Sequence, residues 1–198
     1  MLVLPAQFTP AALPLCLSDG RGLRCTLRRL NSADAQALLR FFRSHTPETL
    51  YRRYGSEHIQ MSAEKAGKLA GVDQGQDAAL GLFRFDGENE EIIAVGRYIC
   101  ASDGQQAEMA FVVHENYRRR GLCTLLLEAL RACARAQGLR QLFAQTQEDN
   151  FPMLGIFFKA GATIAIIEGT HAIDVQLPVE NLQAKPSRPG ARAGKKGK

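Results

Sequence analysis

The sequence predicts a mixed α/β domain in which a mostly antiparallel sheet of six to seven strands carries helices on both faces. Three observations support this fold class. Apolar residues at helical spacing come first along the chain, two apolar β-prone runs at 79–85 and 91–100 follow, and strands then alternate with helices up to residue 178. The length of 198 residues and a hydrophobic content of 45% fit one globular domain with its own core.

The first third of the chain is predicted to be mainly helical. Asn31 is the expected N-cap of the first helix, Thr46 and Pro47 are expected to begin the second, and Ser62 is expected to cap the third. The prolines before residue 15 favour irregular backbone there. The expected elements are an irregular N-terminal arm over 1–22, a strand over 24–30, and helices over 32–43, 47–54 and 61–70.

Strands and helices are expected to alternate in the second half of the chain. The segment DGEN at 86–89 joins the two β-prone runs as a hairpin loop. The helix over 121–137 has a continuous apolar face and ends at Gly138. It connects two strands that should be parallel through a right-handed crossover, and a ligand is expected where the first strand meets the helix. The remaining expected elements are strands over 106–113, 139–146, 162–168 and 171–178 and a helix over 151–159.

The basic character of the chain is concentrated at its C-terminal end. The whole chain has 25 basic and 20 acidic residues, but residues 184–198 hold six basic residues and no acidic one. The rest is therefore close to neutral. We expect residues 23–180 to form the domain and residues 181–198 to form a basic disordered tail. Nucleic acid is an unlikely partner except through that tail.

The cysteines and histidines indicate neither a disulfide framework nor a metal site. The five cysteines are odd in number and include no C-x-x-C pair, and the four histidines lack metal-ligand spacing. We therefore expect free thiols, no metal and a reducing compartment. No apolar run is long enough for a membrane span, and residues 1–16 lack the basic start of a signal peptide. The expected location is the cytoplasm.

The most informative segment is the basic turn (residues 117–121, YRRRG), which follows the strand over 106–113 and precedes the longest helix. The first N–H groups of a helix have no partner within the helix, and with the helix dipole they favour a bound phosphate. Gly121 allows the backbone to approach a ligand closely. Taken alone, the turn is equally consistent with an ordinary solvated turn. It is neither a Walker A loop nor a Rossmann fingerprint.

In this setting the turn resembles motif A of the GNAT acetyltransferases, Q/R-x-x-G-x-G/A. Arg118 matches the first position, Gly121 matches the fourth, and Cys123 stands where glycine or alanine is usual. The segments NFPM at 150–153 and KAGA at 159–162 are similar to the downstream segment of the same family. The resemblance implies a GNAT fold, an acyltransferase that moves an acetyl group onto an amine, and acetyl-CoA as the cofactor.

The resemblance also implies which residues contact the cofactor. The strand residues would offer backbone hydrogen bonds to the pantetheine arm, and the residues from Arg119 to Thr124 would hold the pyrophosphate. Asn150 would contact the pantetheine, and Phe157 would pack near the thioester. The expected cofactor-binding residues are Phe111, Val112, Val113, Arg118, Arg119, Arg120, Gly121, Leu122, Cys123, Thr124, Asn150 and Phe157.

Cys123 allows one further hypothesis, because a thiol at a helix N-terminus can have a lowered pKa. A reactive Cys123 could then form a disulfide with CoA. The alternative, which we favour, is that Cys123 is a small residue tolerated in the loop.

Acetyl transfer to an amine needs a base, because a free lysine with a pKa of about 10.4 is protonated at neutral pH. Glu108 is the expected general base: it lies among apolar strand residues, and relatives in the family often carry a glutamate there. An outward-facing strand residue is the alternative. Glu115 is the reserve candidate, although its loop position also suits simple exposure. His114 could act as a base near neutral pH, but a lone exposed histidine is the simpler interpretation. The tyrosine that many relatives use as a general acid is replaced by Phe157, so either no acid is used or another residue such as Tyr117 serves.

Residues 44–54, SHTPETLYRRY, bear on the identity of the acceptor amine. They are similar to a segment in the GNAT domains of bacterial protein-lysine acetyltransferases. Residues 51–54 could line an acceptor groove, although a helix with inward aromatics and outward arginines explains them equally well. Three alternatives remain: an acetyltransferase for protein lysines, one for a small amine such as a polyamine, aminoglycoside or amino acid, and a non-catalytic acyl-CoA-binding or nucleic-acid-binding module. A monomer or a homodimer is expected.

Overall fold

The computed structural model describes residues 1–54, 60–72, 75–86 and 89–180, and the predicted tail at 181–198 lies outside them. Short 3-10 turns occupy Pro10–Ala12, Ser32–Asp34 and Glu115–Tyr117. The helices are α1 (Ala35–Arg43), α2 (Pro47–Tyr54), α3 (Ala63–Ala70), α4 (Leu122–Ala136) and α5 (Phe151–Lys159). The strands are β1 (Leu15–Ser18), β2 (Arg24–Arg29), β3 (Ala78–Asp86), β4 (Asn89–Cys100), β5 (Gln106–Val113), β6 (Gln141–Gln147), β7 (Thr163–Ile166) and β8 (Ala172–Pro178).

The described strands form one sheet in the order β1-β2-β3-β4-β5-β6-β8-β7. Every neighbouring pair is antiparallel except β5 and β6, which are parallel, as the predicted crossover through α4 requires. The predicted fold class is confirmed. The sheet has eight strands in place of six to seven, because Leu15–Ser18 pairs with β2 although the prediction assigned it to an irregular arm.

The helices lie on both faces of the sheet, as predicted. Helix α4 packs on one face, where Leu126, Leu127 and Leu130 are fully buried. Helices α1 and α3 cover the other face, and Phe41 of α1 packs there with Phe83 of β3 in a second apolar cluster. The alternation of buried side chains along β5 therefore assigns each of its residues to the α4 face or to the α1 face.

The local signals that start the first helices act as the sequence predicts. The side chain of Asn31 accepts a hydrogen bond from the N–H of Ala33, and Asp34 accepts one from the N–H of Asn31 at 2.9 Å. Ser62 accepts a bond from the N–H of Lys65 at 3.0 Å at the start of α3. These caps satisfy N–H groups that the first turn of a helix leaves without partners.

A buried arginine joins α4 to the last strand. Arg131 is only 4% exposed, and its guanidinium donates hydrogen bonds to the carbonyls of Pro178, Val179 and Ala160. The predicted N-terminal arm is also attached to the domain, because Leu2 is 2% exposed in the core under α4. None of the helices in the described ranges combines the length and the apolar character that crossing a membrane requires.

Candidate active site

The sheet opens into a cleft between its two parallel strands. β5 and β6 pair only at their first residues, and the last pair joins Glu108 to Phe143. Beyond that pair β5 continues along β4 and β6 continues along β8, so the two strands separate. The facing backbone edges of 109–113 and 144–147 are therefore not paired with each other. We call this opening the β5–β6 cleft.

The basic turn stands at the start of α4, next to this cleft. Arg119 and Gly121 both have left-handed backbone, with φ of 59° and 81°. No side chain caps α4, so its first N–H groups keep the capacity to bind an anion. A Cβ at Gly121 would lie 2.5 Å from Cγ of Met1, and Leu122 is buried, so the turn can present only backbone at these positions.

Two of the three predicted arginines use their side chains within the chain. Arg118 donates a hydrogen bond to Oγ1 of Thr49 in α2, and Arg120 lies 3.2 Å from the carboxylate of Asp19. These contacts hold both guanidiniums in place, and the assignment of Arg118 and Arg120 to the cofactor stays a prediction. Arg119 is exposed and has no ion pair within the described part of the chain. Thr124 is exposed on the first turn of α4.

The hypothesis of a reactive Cys123 thiolate is contradicted. Burial raises the pKa of the Cys123 thiol to about 12, because a thiolate there would lose its hydration. The thiol lies 3.5 Å from Sδ of Met153 and so packs α4 against α5. The N-terminus of α4 does not offset this loss of hydration. Cys123 therefore fits the alternative interpretation, a small residue that is tolerated in the loop.

Glu115 connects the end of β5 to the start of α2. Its Oε1 accepts hydrogen bonds from the N–H of Thr46 at 2.9 Å, from Oγ1 of Thr46 at 3.0 Å, and from Oγ1 of Thr49. Burial alone would raise the pKa of Glu115, but these donors hold it well below its ordinary value. A carboxylate with so low a pKa is a poor base, and this removes Glu115 from the reserve candidates.

Two histidines surround the same carboxylate. Nδ1 of His45 lies 3.4 Å from Oε2 of Glu115, and burial lowers the pKa of His45, which favours the neutral imidazole. Its Nε2 is buried and has no hydrogen-bond partner among the described residues. His114, the other reserve base, accepts a hydrogen bond from the N–H of Asn116 on Nδ1 and stacks at 5.5 Å from the His45 ring. Nδ1 of His114 is therefore already occupied.

Helix α2 bridges the open end of the β5–β6 cleft. At one side Thr49 is bonded to Glu115, directly after β5, and at the other side Arg52 lies 3.6 Å from Asp149, directly after β6. Tyr51 is 46% exposed on the same helix, so this aromatic residue does not pack inward. The side chains of residues 53 and 54 lie outside the described part of the chain.

Glu108 stands at the closed end of the cleft, on the face of the sheet that α1 covers. Ala107 and Met109 are buried under α4, so Glu108, Ala110 and Val112 point to the opposite face. Glu108 is exposed there. An apolar pocket on the same face is lined in part by Phe42 of α1, His45 just after it, Arg97 of β4, and Ala110 and Val112 of β5.

The remaining predicted contacts lie along the cleft. The rings of Phe111 and Phe157 are 6.5 Å apart, and Phe157 is 2% exposed, so the two rings pack together across it. Nδ2 of Asn150 donates a hydrogen bond to Oγ1 of Thr146, which holds the start of α5 against the end of β6. In the described residues no group of three His, Cys, Asp or Glu side chains could hold a metal ion.

The family model described as "Acetyltransferase (GNAT) domain" matches residues 24–163. The chain belongs to the GNAT family. An acetyltransferase of Pseudomonas aeruginosa is 28% identical over 138 residues, which cover 69% of this chain and 73% of that protein. Membership of this family confirms the expected enzyme class, an acyltransferase, and acetyl-CoA as the expected cofactor.

Solved GNAT structures share the fold. The GNAT domain of S. lividans PAT is 24% identical, with a TM-score of 0.70, and the match covers 80% of this chain and 92% of that domain. A putative acetyltransferase from Salmonella typhimurium, solved with its cofactor acetyl-CoA, is 17% identical with a TM-score of 0.63, and the match covers 83% of this chain and 99% of that one.

The sequence patterns did not indicate four residues that contact the candidate site residues in the folded domain: Asp19, His45, Thr49 and Asp149. Thr46 was recognised only as a helix cap, and no local pattern pointed to the other four.

Proposed function

We propose that the protein transfers the acetyl group of acetyl-CoA directly to a primary amine, that this amine is a protein lysine, and that Glu108 is the general base. The observation that carries the proposal is the separation of β5 from β6 beyond Glu108, beside a helix whose first N–H groups are uncapped. A free strand edge and an anion site at the same end of one strand suit a cofactor with an extended amide arm and a pyrophosphate.

The residues of the cleft would hold acetyl-CoA in a defined order. The backbone of Phe111, Val112 and Val113 would bind the pantetheine amides, and the N–H groups of 121–124 would bind the pyrophosphate, with Arg119 adding charge. Phe157 and Phe111 would exclude water from the arm. When bound, acetyl-CoA supplies an acetyl group activated as a thioester.

The proposed binding site for the acceptor amine lies on the α1 face of the sheet. Glu108 is exposed on that face, two residues before Ala110, which lines the apolar pocket, and α2 lies at the mouth of the cleft with Tyr51 and Arg52 at its surface. The apolar wall near this carboxylate suits contact with the aliphatic stem of a lysine whose amine reaches Glu108. The near-neutral charge of the chain outside residues 184–198 favours a lysine over a polycationic acceptor.

The chemical role proposed for Glu108 is proton transfer. Its carboxylate, directly or through water, takes the proton of the ammonium group so that the nitrogen lone pair is available for attack on the acetyl carbon. Phe157 has no proton to donate, so no acid on α5 at that position takes part. Tyr117 is also unsuited, because its ring packs beside Arg84 on the other side of the basic turn.

Replacement of Glu108 by glutamine tests this assignment. We expect kcat/KM for the amine to fall by about 100-fold or more, since a positioned general base contributes ~10²–10⁴-fold. Affinity for acetyl-CoA, measured by calorimetric titration, should not change. The matched control is Glu64→Gln on α3, where the carboxylate is 77% exposed and pairs with Lys68. Equal rates for the two variants would remove Glu108 from the mechanism, and failure of the wild type to bind acetyl-CoA would remove the proposed activity.

The acceptor is tested by comparing kcat/KM for a lysine-containing peptide, spermidine, an aminoglycoside and a free amino acid under the same conditions. The proposal expects the peptide to be the best substrate, with acetylation at the lysine side chain seen by mass spectrometry. A higher kcat/KM for one of the small amines would assign the small-molecule alternative. Binding of acetyl-CoA without transfer to any of the four would favour the non-catalytic module.

A further inference from the structure

A second cluster of positive charge lies on the other side of the basic turn. Four arginines from three separate segments line a cleft of about 260 Å³, here called the basic pocket: Arg21 and Arg24 at the β1–β2 turn, Arg84 on β3, and Arg120 of the basic turn. Tyr117 forms part of its wall. Its size is just below the ~300 Å³ at which small-molecule sites begin, so it suits a small group better than a whole cofactor.

The basic pocket is separate from the β5–β6 cleft. In the sheet, β2 and β3 lie on one side of β5 and β6 lies on the other. The basic turn runs between the two openings, so residues 117–121 border both. A ligand group in the basic pocket therefore does not compete for the backbone edge that 109–113 present to the cleft.

The charges of the basic pocket are only half compensated. Arg120 pairs at 3.2 Å with Asp19, whose side chain is fully buried and whose Oδ1 accepts hydrogen bonds from the N–H groups of Arg21 and Leu23. Arg84 lies 3.5 Å from Glu91. Arg21 and Arg24 have no ion pair within the described part of the chain. Two guanidiniums are thus held in place by carboxylates, and among the described residues two positive charges remain in excess around this cleft.

We propose that the basic pocket binds a phosphate monoester group. Guanidinium groups recognise phosphate oxygens through paired N–H donors, and a dianion would balance the two excess charges. Asp19 contributes by fixing both Arg120 and the backbone of the β1–β2 turn, so the site is organised before the anion arrives. Where the group is the 3′-phosphate of CoA, the inference rests on the proposed function; where a second phosphorylated molecule carries it, the site is independent of that function.

The primary test is an NMR titration of the full chain with inorganic phosphate, which needs no acetyl-CoA and no turnover. We expect saturable shifts at the amides of Gly22 and Leu23, which line the pocket, and at least a 10-fold weaker affinity in Arg21→Ala/Arg24→Ala. The matched control is Arg43→Ala/Arg140→Ala, which removes the same charge from two exposed positions elsewhere. All four side chains are exposed, so each variant should keep the wild-type melting temperature.

The source of the phosphate is tested by calorimetry with CoA and dephospho-CoA, which lacks the 3′-phosphate. If the wild type prefers CoA at least 5-fold and the Arg21/Arg24 variant loses that preference, the group belongs to CoA. If CoA and dephospho-CoA bind equally while phosphate still shifts Gly22 and Leu23, a separate phosphorylated ligand occupies the site. The proposal is overturned if phosphate binds the Arg21/Arg24 variant as well as it binds the control, or if the wild type shows neither phosphate binding nor a preference for CoA.

Discussion

Replacing Glu115 by glutamine keeps the size of the side chain but removes the charge that joins β5 to α2. The carboxylate sits where the first turn of α2 begins and accepts bonds from the N–H of Thr46 and from the hydroxyls of Thr46 and Thr49. It also faces His45, His114 and Arg118. A negative charge there satisfies donors that α2 itself cannot pair, and it interacts favourably with the helix dipole.

The expected loss of stability follows from these contacts. Hydrogen bonds to a charged group contribute about 1.5–3 kcal/mol each when buried, but the three share one oxygen atom and are not additive. Glutamine keeps one acceptor oxygen. The Glu115 side chain is 20% exposed, so screening by solvent is modest. We expect Glu115→Gln to lower the free energy of unfolding by about 2 kcal/mol at pH 7.

The pH dependence identifies the charge as the cause. Because the pKa of Glu115 is lowered by folding, its contribution is complete above the unfolded pKa of about 4.3 and is lost as the pH falls through the folded pKa. Urea unfolding at pH 7 and at pH 3.5 should therefore give a difference between wild type and variant that is about 1 kcal/mol smaller at the lower pH. Glu64→Gln should show no such change. A difference that is equal at both pH values would refute the assigned role of the charge.

The same variant has a functional readout. Since Glu115 holds α2 at the mouth of the cleft, the KM for the amine should rise several-fold while affinity for acetyl-CoA stays within about twofold. A double-mutant cycle with Thr49→Val should give a coupling of about 1 kcal/mol, because both changes break the same contact. Additive effects would mean that the carboxylate and Thr49 act separately.

Other residues provide three further predictions. Gly121→Ala and Gly138→Ala both place a side chain on left-handed backbone, at φ 81° and 78°, and each should lower the free energy of unfolding by about 1 kcal/mol. Only Gly121→Ala should also weaken acetyl-CoA binding in calorimetry, by about 10-fold or more. Equal affinities would contradict the anion site at the start of α4. Iodoacetamide at pH 8 should modify the exposed Cys16 and leave Cys123 unmodified until urea is added, as read by mass spectrometry. Arg131→Met should lower the free energy of unfolding by about 3 kcal/mol in urea, because three carbonyls lose their buried donor, and an unchanged midpoint would refute this.

Much of the fold was predictable because its signals are local. The predicted strand over 106–113 has the observed bounds Gln106–Val113, and α5 was also placed without error. Strand β1 was missed, because a four-residue strand flanked by proline has little pattern of its own and gains its order from pairing with β2. The motif placed the basic turn before α4, but it gave no sign that the side chains of Arg118 and Arg120 contact Thr49 and Asp19.

The sequence by itself determined the order of the helices and strands after β1, the family, the cofactor and the place of the basic turn before α4. Each of these depends on residues within a few positions of one another, where spacing and capping chemistry act directly. Only the tertiary structure decided that Glu115 meets Thr49 across 66 positions and that Arg120 meets Asp19 across 101. No local pattern encodes such contacts, because their energy arises only after the sheet and helices have packed and removed water from the paired groups.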